Sequence, residues 1–520
     1  MLKSLILFLF PFWIFSTDDL SEKPDRVTVS FSKDQAIAHP FIGHGVQWSA
    51  YPHADAEDAE WGDLMTDDKW DLIYDRLDFI NPKIVRVMDV ASWRYFKGLD
   101  ASGQAIIEYD NGEMRSLYKL LDYCQKNKIP ILLGEWGTPG FWEEPKTENG
   151  IHLANDDRWL DMIAQFVRHL IVEKGFDCIK YYNLVNEPNG NWASTDGDWE
   201  QWKEGYKEMA DVFKKYELDQ YISLAGPDGV VQWNHPTHPK KAGDWLYSTA
   251  EELDGITSVY DIHIYADQHL TSDGNLIDYL TPFAEAVQSS NKPIILGELG
   301  MKYTGELWKE NQRRGQADNC AGPDDSNMFI YDYSYGLDMA DAAVQSMLAG
   351  FGGATAWHLD DAMHTVGDKG GKDQLKKWGM WNTLGEEICG DRSELELRPW
   401  SYTWTLMCNL FTPGVTMVRP DFDAATEDKE VRAVAAFDQK NFTAMLVNRS
   451  SEAKAYSITS DVLDGSKTLY SYEYTDGERS VNSSGFPVPV EKKKWDAKTK
   501  KMDVMVQPNS AYFISTIKID

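Results

Sequence analysis

The chain alternates between short, almost unbroken apolar runs and longer segments whose apolar residues recur every three to four positions. The runs are FIGHGVQW (41–48), KIVRVMD (83–89), IPILLGEW (129–136), IKYYNLVNEP (179–188), YISLAGPD (221–228), VYDIHIY (259–265), PIILGELG (293–300) and ATAWHLD (354–360). Runs this short and this continuously apolar predict strands covered on both faces. Helical periodicity fills most of the intervals, as in SLYKLLDYCQKN (116–127) and over 159–173, 200–215, 276–289 and 338–349. Strand–helix alternation repeated in this way predicts an α/β fold, a (β/α)8 barrel of parallel strands.

The pattern changes near Glu394. TMVRP, VRAVAAFD, FTAMLVNRS, AYSITS, TLYSYEYT and AYFISTIK are short alternating stretches with turn residues between them and no long helix. They predict an antiparallel β-sandwich of roughly 120 residues. The expected organisation is a barrel over 38–392 and a sandwich over 393–520. A short segment, 18–37, precedes the barrel, and its alternating RVTVSF (26–31) is a candidate to pair with the sandwich. At the start, one lysine and about a dozen apolar residues lead into acidic sequence. This has the form of a signal peptide over 1–17, too short for a comfortable membrane span, and implies a secreted or periplasmic protein.

Composition narrows the partners. The net charge of -32 would be repelled by nucleic acid and by an anionic membrane surface, and it favours a neutral over a strongly anionic polymer as ligand. A monomer is expected. The five cysteines, Cys124, Cys178, Cys320, Cys389 and Cys408, are scattered singly, so neither a zinc site nor a disulfide framework is indicated. His235, His238, His358, Asp360, Asp361 and His364 have no metal-ligand spacing either, and no metal or cofactor is expected.

In barrels of this type chemistry gathers at the C-terminal ends of the strands. Those ends carry Trp48, Arg86, Glu135 with Trp136, Asn186 with Glu187, His263 with Tyr265, Glu298, and Trp357. A core would not select these residues, because an unpaired buried carboxylate is costly. Glu187 at the end of strand four and Glu298 at the end of strand seven supply the two carboxylates that glycosidic bond cleavage needs. Trp48, Trp136, Trp192 and Trp357 offer ring faces for stacking on sugars, with core packing beneath loops as the alternative use. Glu135 is divided between a substrate-binding role and a structural partnership with a nearby cation.

NEP ending strand four and GELG ending strand seven, in a barrel of this size, resemble the clan A glycoside hydrolases, over roughly residues 38 to 392. The resemblance implies a retaining mechanism with Glu187 as acid/base and Glu298 as nucleophile. It further implies that Asn186 holds a sugar hydroxyl, that Arg86 and Tyr265 hold the nucleophile, and that Trp357 forms a platform beside the cleaved bond. Glu187 is expected to stay protonated through its neighbour's negative charge, and the two carboxyls to lie about 5 to 5.5 Å apart. The favoured activity is endo-hydrolysis of a neutral β-glucan. The alternatives are an exo-acting β-glycosidase of glucosidase, xylosidase or galactosidase type, and a non-catalytic glycan-binding barrel.

Overall fold

The computed structural model describes residues 26–49, 51, 64–141, 146–364, 375–423, 429–463 and 465–519; the expected signal peptide at 1–17 lies outside them. Eight parallel strands close into a barrel: Gly45–Gln47, Val85–Asp89, Ile131–Glu135, Ile179–Asn183, Ser223–Val230, Thr257–Ala266, Ile294–Met301 and Ala354–Ala356. Alternate residues on each strand point in opposite directions. Those pointing inward build a small apolar plug of Ile84, Leu132, Ala225, Val259 and Ile295 at the bottom of the lumen. Those pointing outward, such as Val85, Leu133 and Ile262, join the large core between strands and helices. The plug fills the lower lumen, so the polar residues farther along the same strands are stacked above an apolar floor.

The ladder of the barrel shifts register at several points, and two of these shifts lie near the C-terminal strand ends. On the seventh strand Leu296 pairs with Ile262 and Glu298 with His263, leaving Gly297 as an extra residue. On the fifth, Pro227 pairs with Asp261 and Gly229 with Ile262, leaving Asp228 extra and in left-handed backbone at φ 60. Bulges of this kind re-aim the side chains that follow them.

The ring of helices closes with Pro399–Leu410, which packs between Asp67–Ile80 and Tyr333–Ala349. Asn409 Nδ2 reaches the Phe79 carbonyl at 2.8 Å on one side, and Thr403 Oγ1 the Gly336 carbonyl at 3.0 Å on the other. The barrel therefore extends beyond residue 392, the boundary suggested by the change in sequence pattern. Pattern marks where helices give way to strands poorly when the last helix, here WSYTWTLMCNL after Pro399, is apolar all round.

The C-terminal region forms a four-stranded and a six-stranded sheet. Arg26–Phe31 belongs to the first of these, parallel to Lys454–Ser460 and antiparallel to Asp421–Phe422. Val29, Phe31, Leu446, Tyr456, Ile458 and Ile514 fill the space between the sheets. The outer face of the larger sheet packs on helix Tyr333–Ala349, whose Asp338 and Asp341 are buried against Arg432 and Arg449. Removing one partner would strand a buried charge, so this cluster couples the sandwich to the barrel.

One expectation is corrected here. Cys320 and Cys389 form a disulfide with their Cα atoms 5.3 Å apart, although 69 residues separate them in sequence. The pairing follows from tertiary structure: Cys320 lies in the long loop after strand seven, which bonds to Leu375, while Cys389 ends the short helix Gly385–Cys389. Cys124, Cys178 and Cys408 are free and buried.

Candidate active site

At the top of the lumen the inward positions become polar. Gln47 on strand one, Arg86 on strand two, Asn183 on strand four, Asp228 on strand five, Asp261, His263 and Tyr265 on strand six, and Glu298 on strand seven all face one another. Arg86 is the centre. It is fully buried, and its Nη1 donates to Glu298 Oε1 at 2.7 Å and Gln47 Oε1 at 2.9 Å. Its Nη2 donates to Asn186 Oδ1 at 2.7 Å and Asp228 Oδ2 at 2.9 Å. Burial opposes the guanidinium's charge, but Asp228 and Glu298 more than compensate and hold it ionised.

Glu298 is gripped at both oxygens, Oε1 by Arg86 and Oε2 by the Tyr265 hydroxyl at 2.6 Å. This fixes the plane of the carboxylate. The bulge at Gly297 is what brings it inward, and glycine is required there, since a Cβ would overlap the Asp261 carboxylate. Glu187 does not end strand four, which stops at Asn183; it lies in the loop beyond, in left-handed backbone at φ 46. Its N–H bonds to the Asp228 carbonyl at 3.0 Å, and Asn189 clamps Val230 through both amide groups. Two strained residues on neighbouring strand ends thus brace each other.

Glu187 Oε1 accepts from His263 Nδ1 at 3.0 Å and Oε2 from Trp192 Nε1 at 2.6 Å. Burial raises the pKa of this carboxyl, but His263 and then Trp192 outweigh burial and hold it below the usual glutamate range. This reverses the expected sign: a neighbouring negative charge alone would have kept Glu187 protonated, but the imidazole between the two glutamates answers that charge. His263 also gives Nε2–H to Asp228 Oδ1 at 2.7 Å. Burial works against the imidazolium, yet Glu298 and Asp228 carry its pKa well above the ordinary histidine value. Behind them, burial and the adjacent Asp228 charge push Asp261 up to about 7. One oxygen each of Glu187 and Glu298 and a ring nitrogen of His263 lie within 4.8 Å of one another. The trio Asp228, Asp261 and His263 is equally tight. Either trio has donor atoms a cation would accept, but Arg86 already supplies the counter-charge to both.

Strand parity sorts the other candidates. Trp136 follows inward-facing Gly134 and meets Trp357 edge-on at 5.7 Å, and Trp357 stacks on His364 at 5.3 Å. Trp192 and Trp233 are 42% and 49% exposed with ring centroids 6.0 Å apart, an open aromatic pair beside Glu187. Trp48 points outward; it is fully buried against Trp70 and Tyr123 and lines no cleft. Glu135 also points outward, toward the helices, where Oε1 accepts from Tyr95 at 2.6 Å. Burial and the nearby Asp89 raise Glu135 to about 8. Its hydrogen-bond partner is a tyrosine, and the Arg94 guanidinium acts on it through space. Gln47, Asn183, Asp228 and Asp261 were not among the sequence candidates. Counting alternate residues back from Tyr265 finds Asp261, and YISLAGPD ends on an acid just as PIILGELG nearly does.

Residues 177–335, which include Glu187, His263 and Glu298, match the family description Cellulase (glycosyl hydrolase family 5). With that match carried on a closed barrel of eight parallel strands, the chain is a glycoside hydrolase of clan A, a clan whose enzymes retain anomeric configuration. Among solved structures it is similar to a conserved exported protein from Bacteroides fragilis, with a TM-score of 0.63 at 13% identity over 94% of this chain and 100% of that one. A GH30 endoxylanase from Clostridium papyrosolvens C71 gives 0.56 at 13% over 94% and 99%. A glucosidase from Croceicoccus marinus gives 0.59 at 12% over 94% and 98%. No curated protein is matched by sequence.

Proposed function

We propose that this chain cleaves β-glycosidic bonds inside a neutral polysaccharide, with a β-glucan as first choice, by double displacement through Glu298 and Glu187. The observation that carries this reading is the pairing of two carboxylates within one short span and with different partners. Glu298, held between Arg86 and Tyr265, is the nucleophile. It attacks the anomeric carbon and forms a glycosyl ester as the leaving oxygen takes a proton from Glu187. That proton is held in the His263–Glu187 hydrogen bond and moves from Nδ1 to Oε1 as the leaving oxygen approaches. Glu187 then draws a proton from water, whose hydroxide opens the ester, and passes that proton back to His263 Nδ1, so that both glutamates and the imidazole return to their starting states. Asn186, its Oδ1 taken by Arg86, has its Nδ2 for a sugar hydroxyl. The span of the catalytic oxygens agrees with retention, since inversion needs about 6.5 to 9.5 Å between carboxyls.

The exposed pair Trp192 and Trp233 supports an extended glycan passing across the barrel, and Trp136 with Trp357 supports a stacking platform. The acidic chain and the 1–17 segment support a neutral substrate met outside the cell. An exo-acting β-glycosidase is the second reading, favoured by the likeness to a structure described as a glucosidase. A panel of β-1,3-, β-1,4- and mixed-linkage glucans, xylan, mannan and aryl glycosides separates them. Endo-action predicts a rapid fall in polymer viscosity and a ladder of oligosaccharides; monosaccharide alone from the first minutes overturns it.

A further inference from the structure

A cavity of 820 Å³ lies between barrel and sandwich, and none of the strand-end residues lines it. Its walls are Arg76 of helix Asp67–Ile80, the Arg392–Leu395 turn, the first turn of helix Pro399–Leu410, and the sandwich loop 477–485. In so acidic a chain, arginines find carboxylates readily. Among the described residues every arginine is ion-paired except Arg76, Arg392, Arg419 and Arg479. Three of these line this one cavity.

The buried wall is short of acceptors in the same way. Arg398 and Tyr402 are 4% and 2% exposed, and the Arg398 Nε and Tyr402 hydroxyl have no hydrogen-bond partner. Arg76 stacks on Trp381 and gives Nη2 to the Leu395 carbonyl at 2.6 Å, but its buried Nη1 meets no acceptor. Burial draws Arg76 down to about 10, and the Asp360 charge offsets it only in part. Arg398 and Tyr402 flank the start of helix Pro399–Leu410, which no side chain caps. A helix N-terminus, unanswered donors and unpaired guanidinium groups all ask for negative charge. Against them stand Glu396 and Glu478, both exposed, and Asp361 and Glu394, which meet Arg398 at Nη2 and leave its Nε unanswered.

We propose that this cavity is an anion-binding site for a compact oxyanion (carboxylate, sulfate or phosphate), borne on a sugar or free in solution, whose binding ties the sandwich to the barrel. The site is separate from the catalytic centre, and its fate does not depend on the proposed hydrolysis. The test is calorimetry and thermal unfolding of the full chain with sodium sulfate, inorganic phosphate and glucuronate, at ionic strength matched with chloride, with glucose as uncharged control. Saturable binding of an oxyanion with a rise in Tm, and none with glucose, is expected. Tighter binding of glucuronate assigns the site to acidic sugars, and tighter binding of sulfate or phosphate assigns it to the free ion. Arg392→Gln with Arg479→Gln should weaken the affinity about tenfold or more while hydrolytic activity stays unchanged. Arg392→Gln alone, at an exposed residue, gives the same direction should the pair fold poorly. Absence of saturable binding, equal affinity in the variants, or a Tm rise that chloride reproduces would overturn the proposal.

Discussion

Strands three and seven are nearly the same sequence, ILLGEWG and IILGELG, and each presents a glutamate at its end. Leu132 and Ile295 occupy equivalent places in the lumen plug. Three residues farther along, the two strands diverge. Strand three keeps its alternation, so Glu135 turns outward to Tyr95 and burial raises it to about 8. Strand seven spends an extra residue at Gly297, so Glu298 turns inward between Arg86 and Tyr265. One bulge separates a structural acid from a proposed nucleophile. Residue type at a strand end is therefore a weak guide to function until its face is known.

The largest expected effect comes from removing the two inward carboxylates. Glu298→Gln and Glu187→Gln should each lose about 10⁴-fold or more in kcat on the best natural substrate, whereas Glu135→Gln should stay within about twofold. Loss of activity in Glu135→Gln with the fold intact would break the contrast.

The next effect tests the bulge itself. Gly297→Ala places a methyl against the Asp261 carboxylate. It should displace Glu298 and cost on the order of 10² in kcat/KM, with circular dichroism unchanged. Wild-type kinetics would show that the bulge does not set the nucleophile.

The barrel was legible in the sequence because its strands are buried on both faces and read as apolar runs; the sandwich was legible from its alternation. The site was legible in part. Arg86, Asn186, Glu187, His263, Tyr265 and Glu298 converge because chemistry at a strand end leaves polar residues where a core would not. Trp48 and Glu135 show the limit, since a strand covered on both sides carries no alternation of polarity from which to read a face. Asp228 and Gly297 depend on bulges, which register alone reveals. The opposed shifts of Glu187 and His263 arise from a contact across the lumen between strand-four loop and strand six, which no local pattern encodes.

A smaller effect concerns the proton shared between His263 and Glu187. The pair carries a proton below the raised His263 pKa and loses it above, so the alkaline limb of kcat/KM should lie well above the ordinary histidine range. His263→Gln should lower kcat about tenfold or more and move that limb to lower pH. An unmoved limb would assign the proton to another group.

The smallest effect falls on stability through the outward acid. Glu135 is protonated in the folded chain up to about 8 but ionises near 4.5 once unfolded. Unfolding between those values releases a proton, so stability from this group is full below about 4.5 and declines as pH rises toward 8. Glu135→Gln should remove that slope and leave the variant more stable than wild type at pH 8 to 9, by about 1 to 3 kcal/mol in denaturant melts. Parallel pH profiles in the two proteins would contradict the assignment.

The measurement that reaches the central claim most directly is covalent trapping. An activated 2-deoxy-2-fluoro β-glycoside of the sugar turned over fastest would be incubated with the enzyme, and the labelled peptide sequenced by mass spectrometry. The structure predicts one sugar per chain, attached to Glu298, with Glu135 unlabelled. A label on Glu135, or on any residue other than Glu298, would contradict it.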